Sequence, residues 1–244
     1  MHNTFAEKRV FIAGGTGGIG KAIAQAFLDN GAKVFIHGRN EKKLDGIPGI
    51  ALDLDDQENI EKAAKAAKEF LGEVDIFVSA IGSGKYKNTG LLSKDEWEEV
   101  LQKNFFSSVL LVNAVTPYMG KSDPNIIVIG SIAGKERLNA PVGYTVAKAA
   151  LNTFVRSVSP ELAEKNIRIN IVNPGNIYFE GGRWDELKKE DEKKVTEFID
   201  QNVPQKRFGK PEDVARAVLF FASPKSDFVT GSSLEIDGGQ HVSF

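Results

Sequence analysis

GGTGGIG, residues 14–20, decides the fold: it follows an apolar run at residues 10–13 and precedes a helical pattern at residues 21–30. A strand, a glycine turn and a helix in this order present backbone N–H groups and a helix dipole to a pyrophosphate. Glycine is needed where the chain turns sharply, where the backbone approaches phosphate and where the helix packs on the strand. The turn contains G-x-G-x-x-G from Gly15 and G-x-x-x-G-x-G from Gly14. We therefore predict that it binds a dinucleotide.

Working outward, short β-branched runs alternate with helical patterns along the chain. Strands are predicted at residues 10–13, 34–37, 50–52, 76–79, 126–130, 167–172 and 233–237. Helices are predicted at residues 21–30, 57–71, 94–119, 143–165 and 211–222. Strict alternation with right-handed crossovers implies an α/β, Rossmann-like, doubly wound parallel sheet of about seven strands with helices on both faces. No linker or composition shift divides the chain, so we predict one dinucleotide-binding and catalytic domain, residues 1–244.

One segment breaks this alternation. Residues 175–203 (GNIYFEGGRWDELKKEDEKKVTEFIDQNV) are long, charged and partly helical by pattern. Long excursions of this kind are usually lids, binding loops or disordered segments. We predict a substrate lid or loop excursion at residues 175–205 within the single domain, and call it the lid segment.

Charge and residue types exclude several classes of function. Lys and Arg number 31 against 33 Asp and Glu, a balance that gives no footprint of a nucleic-acid or anionic-membrane binder. Cysteine does not occur, which excludes disulfides and thiolate chemistry, and His2, His37 and His241 are scattered, so no metal site is predicted. The N-terminus has no apolar signal core, and no apolar run reaches about 18 residues. A cytoplasmic protein without a membrane partner is expected.

The end of the second strand bears on the choice of dinucleotide. An NAD enzyme usually has an acid about 20 residues after the glycines, on the ribose 2′-hydroxyl. Here that neighbourhood holds Gly38 and Arg39, and the nearest acid, Glu41, lies beyond the strand end. A guanidinium can bind a 2′-phosphate in a bidentate manner. NADP is therefore favoured over NAD, unless Arg39 is only a solvated loop residue.

Three residues form the candidate catalytic group. Tyr144 and Lys148 are spaced i, i+4 near the start of a predicted helix, so the phenol and the ammonium share one helical face. A nearby positive charge lowers a tyrosine pKa from about 10 toward the range useful for proton transfer. Ser131 ends the apolar strand at residues 126–130, and carboxyl ends of parallel strands border the ligand crevice. Its hydroxyl can donate to a substrate carbonyl while the tyrosine delivers a proton.

With these features in place, the chain resembles the short-chain dehydrogenase/reductase family along nearly its whole length, and within it the single-domain type that includes 3-oxoacyl-acyl-carrier-protein reductases. Besides the glycine turn and the catalytic group, the matching positions are Asp53-Leu54, Ser79-Ala80-Ile81-Gly82, Asn104, Asn173-Pro174-Gly175, Arg207-x-Gly209-x-Pro211-Glu212-Asp213, Thr230-Gly231 and Asp237-Gly238-Gly239. The resemblance implies an NADP(H)-dependent oxidoreductase that interconverts a carbonyl and a secondary alcohol. It also implies a homotetramer, assembled through the helices that hold Asn104 and Tyr144 and through the C-terminal strand.

The resemblance also implies a role for each catalytic residue. Tyr144 would be the acid/base. Lys148 would bind the nicotinamide ribose and depress the tyrosine pKa. Ser131 would orient the carbonyl, and Asn104 would hold a water in a proton relay.

Cofactor contacts follow from the same resemblance. Asp53 would meet the adenine, the Pro174-Gly175 turn would line the nicotinamide, and Ile177 would lie beside the carboxamide. The implied cofactor-binding residues are Gly14, Thr16, Gly17, Gly18, Ile19, Gly20, Arg39, Asp53, Leu54, Ala80, Ile81, Gly82, Tyr144, Lys148, Pro174, Gly175 and Ile177.

Three positions depart from the family pattern. Ala13 stands for the usual Thr before the first glycine, and residues 79–82 read SAIG in place of NNAG. Tyr178 stands where a Thr or Ser is expected after Pro-Gly, which puts the carboxamide contact in doubt. None of these positions is a proton-transfer residue.

The substrate stays open at this stage. Three loops would contact it, residues 82–89, 133–142 and 175–203, and their cations suggest a carboxylate, phosphate or carrier-linked substrate unless they are only solvated. Those cations are Lys85, Lys87, Lys135, Arg137 and Arg183. Interleaved acids in the lid segment weaken the carrier-protein interpretation. A sugar or nucleotide-sugar ketone is the alternative, and Trp184 could stack on such a ring or simply pack the lid.

Two other classes are less well supported by the sequence. A non-catalytic dinucleotide sensor usually lacks the tyrosine or the lysine, and both are present here. A sugar-nucleotide epimerase or dehydratase of the extended type needs a larger C-terminal region than 244 residues allow.

Overall fold

The computed structural model describes residues 4–242. His2 and the two ends of the predicted domain, residues 1–3 and 243–244, lie outside the described residues. The strands are β1 Arg9–Ala13, β2 Lys33–Gly38, β3 Gly49–Ala51, β4 Ile76–Ser79, β5 Asn125–Ile129, β6 Arg168–Pro174 and β7 Ser233–Ile236. The helices are α1 Gly18–Asp29, α2 Gln57–Leu71, α3 Lys94–Leu101, α4 Ser107–Val115, α5 Val142–Glu164, α6 Arg183–Glu190, α7 Glu192–Asn202 and α8 Pro211–Ala222.

All seven strands form one parallel sheet in the order β3-β2-β1-β4-β5-β6-β7. The chain reverses direction across the sheet between β1 and β4, and in such a doubly wound sheet the ligand crevice lies at the carboxyl ends of the strands next to this point. The predicted single-domain fold is confirmed.

Buried apolar side chains explain why these runs become strands. Every residue of β4, β5 and β6 is buried, as expected for parallel strands covered on both faces. One core cluster packs α2, α4 and α5 on one face of the sheet, and the other packs α1 and α8 on the opposite face. Among residues 4–242, no helix is long and apolar enough to cross a membrane.

The predicted helix at residues 94–119 is helical from residue 94 to residue 118, but it is not one uniform α-helix. A π-helical turn, Gln102–Phe106, separates α3 from α4, and a 3₁₀ turn, Thr116–Tyr118, follows α4. The Ser107 hydroxyl lies 2.7 Å from the Gln102 carbonyl oxygen, which also accepts from the Ser107 amide across the wider turn. Apolar spacing cannot reveal such a turn, because one extra residue hardly changes the pattern. π turns often occur at functional sites.

The lid segment is ordered as two helices, α6 and α7, rather than as an extended loop. Its acids and bases, mixed along the sequence, form i, i+4 pairs on the helix surfaces, including Lys188 with Glu192 and Lys189 with Asp185. The charge pattern that made this segment hard to assign is therefore that of two solvated helical faces.

Candidate active site

The glycine turn has the shape that a phosphate-binding turn requires. Gly14 has a φ of 79°, a conformation that favours glycine, and a β-carbon at Gly20 would lie 2.8 Å from the Gly14 carbonyl carbon. Helix α1 begins at Gly18, and its N-cap residue, Gly17, makes no side-chain cap. The first backbone N–H groups of α1 thus face a space where an anion can accept from them.

His37 supports this turn and was not identified from the sequence. Its Nδ1 lies 3.4 Å from the Gly14 amide nitrogen, and its Nε2 lies 3.0 Å from the Leu52 carbonyl oxygen. Burial lowers the pKa of His37, which favours the neutral ring that can accept from Gly14 and donate to Leu52. The sequence did hold a signal for this role, since His37 is a histidine within an otherwise apolar, buried strand.

The carboxyl ends of β2 and β3 bring Arg39 close to two carboxylates, Asp53 and Asp55. Arg39 is exposed just after β2, and Asp53 is exposed after β3. Loss of hydration raises the pKa of Asp55 and the Asp53 charge adds to this, while the Arg39 charge opposes it. Leu54, also predicted here, is only 4% exposed and packs in the core, so its side chain does not face the groove.

Lys148 is deeply buried beside Tyr144. Only 3% of the residue is exposed, and its Nζ donates to the carbonyl oxygens of Ile129, at 3.0 Å, and Ile81, at 3.3 Å. The same Nζ lies 5.8 Å from the centre of the Tyr144 ring. Burial lowers the pKa of Lys148 to about 8. The helical spacing therefore does bring the phenol and the ammonium together.

The state of the Tyr144 phenol differs from the sequence expectation. Burial raises its pKa, and a hydrogen bond with Ser131 lowers it only in part. The net shift of the Tyr144 pKa is therefore upward, contrary to the expected lowering, while the Lys148 ammonium donates to the carbonyls of Ile81 and Ile129 and is itself desolvated. In this state of the protein the tyrosine is a protonated acid at neutral pH.

Ser131 is held from two sides. Its hydroxyl accepts from the Ala133 amide at 3.1 Å, and its own amide donates to Asn173 Oδ1 at 2.9 Å. Asn173 Nδ2 in turn donates to Asn152 and to Ser233, both at 2.8 Å. Ser131 is thus both a capping residue and a partner of Tyr144, and its amide is held by Asn173, which matched the family pattern in the sequence without a role assigned to it.

Asn104 lies on the π turn and is fully buried. Its Oδ1 accepts from the Ser83 amide at 2.8 Å, and its Nδ2 donates to the Val100 carbonyl at 3.1 Å and to the Tyr86 hydroxyl at 3.2 Å. A β-carbon at Gly82 would lie 2.9 Å from Asn104 Oδ1 and 3.0 Å from Lys148 Nζ. The fold therefore brings Asn104 and Lys148 to the same point of the crevice.

The residues that were predicted together as nicotinamide contacts differ in how their side chains are placed. Ile177 is 6% exposed, and its side chain packs against Gly209, so only its main chain is available to a ligand. Ala80 and Ile81 are half-buried after β4, and Gly175 follows β6. The groove floor here is largely main chain.

Trp184 packs between the lid segment and the chain that follows it. Its ring centre lies 5.3 Å from that of Phe198, on α7, and 5.3 Å from that of Phe208, beyond the segment. Tyr178 also packs on Phe208, at 5.7 Å, and its hydroxyl donates to Asp185 at 2.8 Å. Trp184 and Tyr178 thus pack the segment onto a residue outside it.

Four of the five cations in the proposed substrate loops face a carboxylate. The pairs are Lys85 with Glu186, Lys87 with Glu96 at 3.5 Å, Lys135 with Glu235 at 2.7 Å, and Arg183 with Glu186 at 3.8 Å. This pairing reduces the positive field that an anionic substrate would meet. Within residues 4–242, no group of His, Asp and Glu is placed to hold a metal ion.

Fold and crevice together define a class. A doubly wound sheet whose first strand leads into a glycine turn, with a serine, tyrosine and lysine at the same carboxyl edge, is typical of nicotinamide-dependent oxidoreductases. Comparison with known proteins specifies the family. A family model described as Enoyl-(Acyl carrier protein) reductase matches residues 13–241. The chain belongs to the short-chain dehydrogenase/reductase family and is an oxidoreductase acting on CH–OH groups.

Similar proteins cover the whole chain. The 3-oxoacyl-[acyl-carrier-protein] reductase FabG of Vibrio cholerae serotype O1 is 32% identical over 96% of this chain and 98% of its own length. Dehydrogenase/reductase SDR family member 4 of Mus musculus is 30% identical over 97% of this chain and 88% of its own.

Solved structures agree with this assignment. An NADPH-bound short chain oxidoreductase from Pseudomonas aeruginosa PAO1, described as having an atypical catalytic center, superposes with a TM-score of 0.90 at 28% identity, covering 98% of this chain and 99% of its own. Ligand-free aldohexose dehydrogenase of Thermoplasma acidophilum superposes with a TM-score of 0.87 at 27% identity, covering 97% of both chains.

Proposed function

We propose that this protein is an NADP(H)-dependent reductase that interconverts a carbonyl and a secondary alcohol, with Tyr144 as the acid/base. The observation that carries the proposal is the convergence of Tyr144, Ser131 and Lys148 at the carboxyl edge of the sheet, with the Tyr144–Ser131 hydrogen bond and the buried Lys148 Nζ beside the ring. A protonated phenol next to a hydroxyl donor suits delivery of a proton to a carbonyl oxygen.

The chain provides a cradle that fits a dinucleotide. Close packing of Gly20 on Gly14 leaves a narrow turn, and the N–H groups at the start of α1 suit a pyrophosphate. Arg39 would hold a 2′-phosphate and Lys148 a ribose hydroxyl. When bound, the nicotinamide supplies or accepts a hydride, and the protein orients and polarises the reactants.

Each catalytic side chain has a distinct task in this proposal. Ser131 donates to the substrate oxygen, and Tyr144 gives that oxygen its proton. The Lys148 ammonium then stabilises the phenolate that remains, an interaction strengthened by the low local dielectric. Asn104 fixes the loop around Ser83 and lies where a proton can return to the phenol from solvent past Lys148.

NADP is favoured over NAD because Arg39 is the cation at the end of β2. Asp53 and Asp55 lie close to it, so the balance of charge at this end is mixed. Similarity to the NADPH-bound Pseudomonas structure supports the same choice.

Two substrate classes remain, and each has support. Similarity to 3-oxoacyl-[acyl-carrier-protein] reductases favours an acyl thioester. Similarity to an aldohexose dehydrogenase and the paired loop cations favour a neutral sugar-like carbonyl. We propose the acyl thioester as the first candidate and the sugar or nucleotide-sugar ketone as the second. NADPH oxidation with acetoacetyl thioester and with keto-sugars separates the two.

The decisive test of the mechanism is Tyr144→Phe. This change removes the proton donor and little volume, so turnover should fall by several orders of magnitude while NADPH binding, measured by fluorescence titration, is kept. Retained turnover with either cofactor would refute the role of Tyr144. Absence of dinucleotide binding by the unmodified enzyme would refute the cofactor proposal itself.

The assembly and the lid are also proposals. Phe106 and Val146, on the π turn and on α5, are each 43% exposed although apolar, which supports burial of this face in a homotetramer. Helices α6 and α7 would cover a substrate as a lid. Sedimentation that gave only the 26.6 kDa monomer would contradict the tetramer.

A further inference from the structure

The Phe179 ring lies on the glycine turn. A β-carbon at Gly18 would come within 2.7 Å of three ring carbons, Cγ, Cδ2 and Cε2. The ring also meets Gly182, where a β-carbon would lie 2.8 Å from Cε2 and 2.9 Å from Cζ. The ring thus sits between the first residue of α1 and the residue before α6, in space that only glycines leave open.

This position is unusual for a large apolar side chain. Phe179 is half-buried and packs against the core cluster that includes Val172 and Ile177, yet it borders the N-terminus of α1, where a polar ligand is expected. By contrast, a β-carbon at the neighbouring Gly17 would meet only the Gly14 carbonyl oxygen, at 3.6 Å. The turn is therefore open at Gly17 and covered at Gly18.

The ring also connects the turn to the lid. Gly182 is the N-cap of α6, and Glu186 on α6 pairs with Lys85 in the loop that follows β4. Movement of Phe179 away from Gly18 would consequently shift the start of α6 and the ion pair that bridges the crevice.

We propose that the Phe179 ring, lying against Gly18, competes with a dinucleotide for this turn, so that a bound dinucleotide displaces the ring and the displacement repositions α6. The proposal rests on the proposed function, since it requires a dinucleotide on this turn. It makes Phe179 a determinant of cofactor affinity.

The test compares NADPH affinity in the unmodified protein, Phe179→Ala and Phe179→Leu. If about nine-tenths of the ligand-free molecules have the covered turn, removal of the ring should tighten NADPH binding about tenfold. Phe179→Leu keeps most of the apolar volume and is the matched control, with an affinity near that of the unmodified protein. Equal or weaker binding by Phe179→Ala would overturn the proposal, because the ring would then be a neutral or supporting wall.

A second measurement tests the contact without any ligand. Gly18→Ala should lower the melting temperature of the unmodified protein, because the new methyl group meets the ring, and should lower that of Phe179→Ala by less. Equal effects in both backgrounds would show that the ring does not cover Gly18. Absence of NADPH and NADH binding in all three proteins of the affinity series would overturn the proposed function together with this inference. If the three proteins bound NADPH with equal affinity, this inference alone would be overturned.

Discussion

Replacing Lys148 by Met is expected to make the stability of the protein depend differently on pH. In the folded state the ammonium is 3% exposed, and its pKa is lowered from 10.5 to about 8 by burial. The unfolded chain therefore keeps its proton to higher pH than the folded chain does. Below about pH 8 the cost of burying the charge is present in full, and the cost disappears as the pH rises toward 10.5. A methionine carries no such cost at any pH.

The size of the effect follows from the two pKa values. One pKa unit corresponds to about 1.4 kcal/mol, so the buried ammonium costs about 3 kcal/mol of unfolding free energy near neutral pH and about 1 kcal/mol near pH 9.5. The lost hydrogen bonds to Ile81 and Ile129 also destabilise Lys148→Met. Both lysine states donate to these carbonyls, so that loss varies little with pH. The stability difference between the two proteins should thus change by about 2 kcal/mol between about pH 7 and pH 9.5.

Urea denaturation at fixed protein concentration, without cofactor, measures this difference at each pH. Lys165→Met removes an exposed lysine that pairs with Glu161 at the end of the same helix, and it shows how much of the pH trend comes from loss of any lysine. A difference between Lys148→Met and the unmodified protein that stays constant over this range would refute the reasoning. It would mean that the buried ammonium is stabilised as well as it is in water.

Three further predictions concern the cofactor end, the turn and the serine. Arg39→Glu should weaken NADPH binding about ten- to a hundredfold, because a charge-assisted hydrogen bond is replaced by repulsion, and should leave NADH binding little changed. Isothermal titration measures both affinities, and an unchanged ratio of NADPH to NADH affinity would contradict the assignment of Arg39 to the 2′-phosphate. Because burial lowers the His37 pKa, the unfolded state binds the proton more readily, so stability should fall as the pH drops below about 6.5. The fall should be smaller in His37→Gln. If urea denaturation gave the same dependence of stability on acid pH for both proteins, His37 would be excluded as the cause. Asn173→Ala leaves the Ser131 amide without its acceptor and should cost about 1–3 kcal/mol in unfolding free energy. It should also lower kcat more than it lowers NADPH affinity. A variant that lost stability but kept its kcat would show that Asn173 does not position the serine.

Local patterns were sufficient to predict the sheet. Most strands are short β-branched runs that are buried, although β3 and β7 are only partly covered. A helical pattern lies between most of them, so the doubly wound parallel sheet followed from rules on connections. The positions of Tyr144 and Ser131 could be predicted for the same reason. The prediction of Tyr144 depends on helical spacing, and that of Ser131 depends on the end of a strand. Both are properties of neighbouring residues.

Contacts between distant parts of the chain could not be predicted in this way. The π turn at Asn104 is fixed by groups from other elements, among them Ser83 and Tyr86, and the neutral state of His37 depends on contacts with Gly14 and Leu52. Helical charge pairing, rather than a binding surface, explains the charges of the lid segment.

The sequence by itself determined the order of strands and helices, the phosphate-binding turn and the pairing of Tyr144 with Lys148, because these depend on residues a few positions apart. Only the tertiary structure decided the burial of Tyr144 and Lys148, which shifts their pKa values, and the placement of Phe179 over Gly18. Hydration and steric contact depend on everything that packs around a side chain, and most of those neighbours are distant in the sequence.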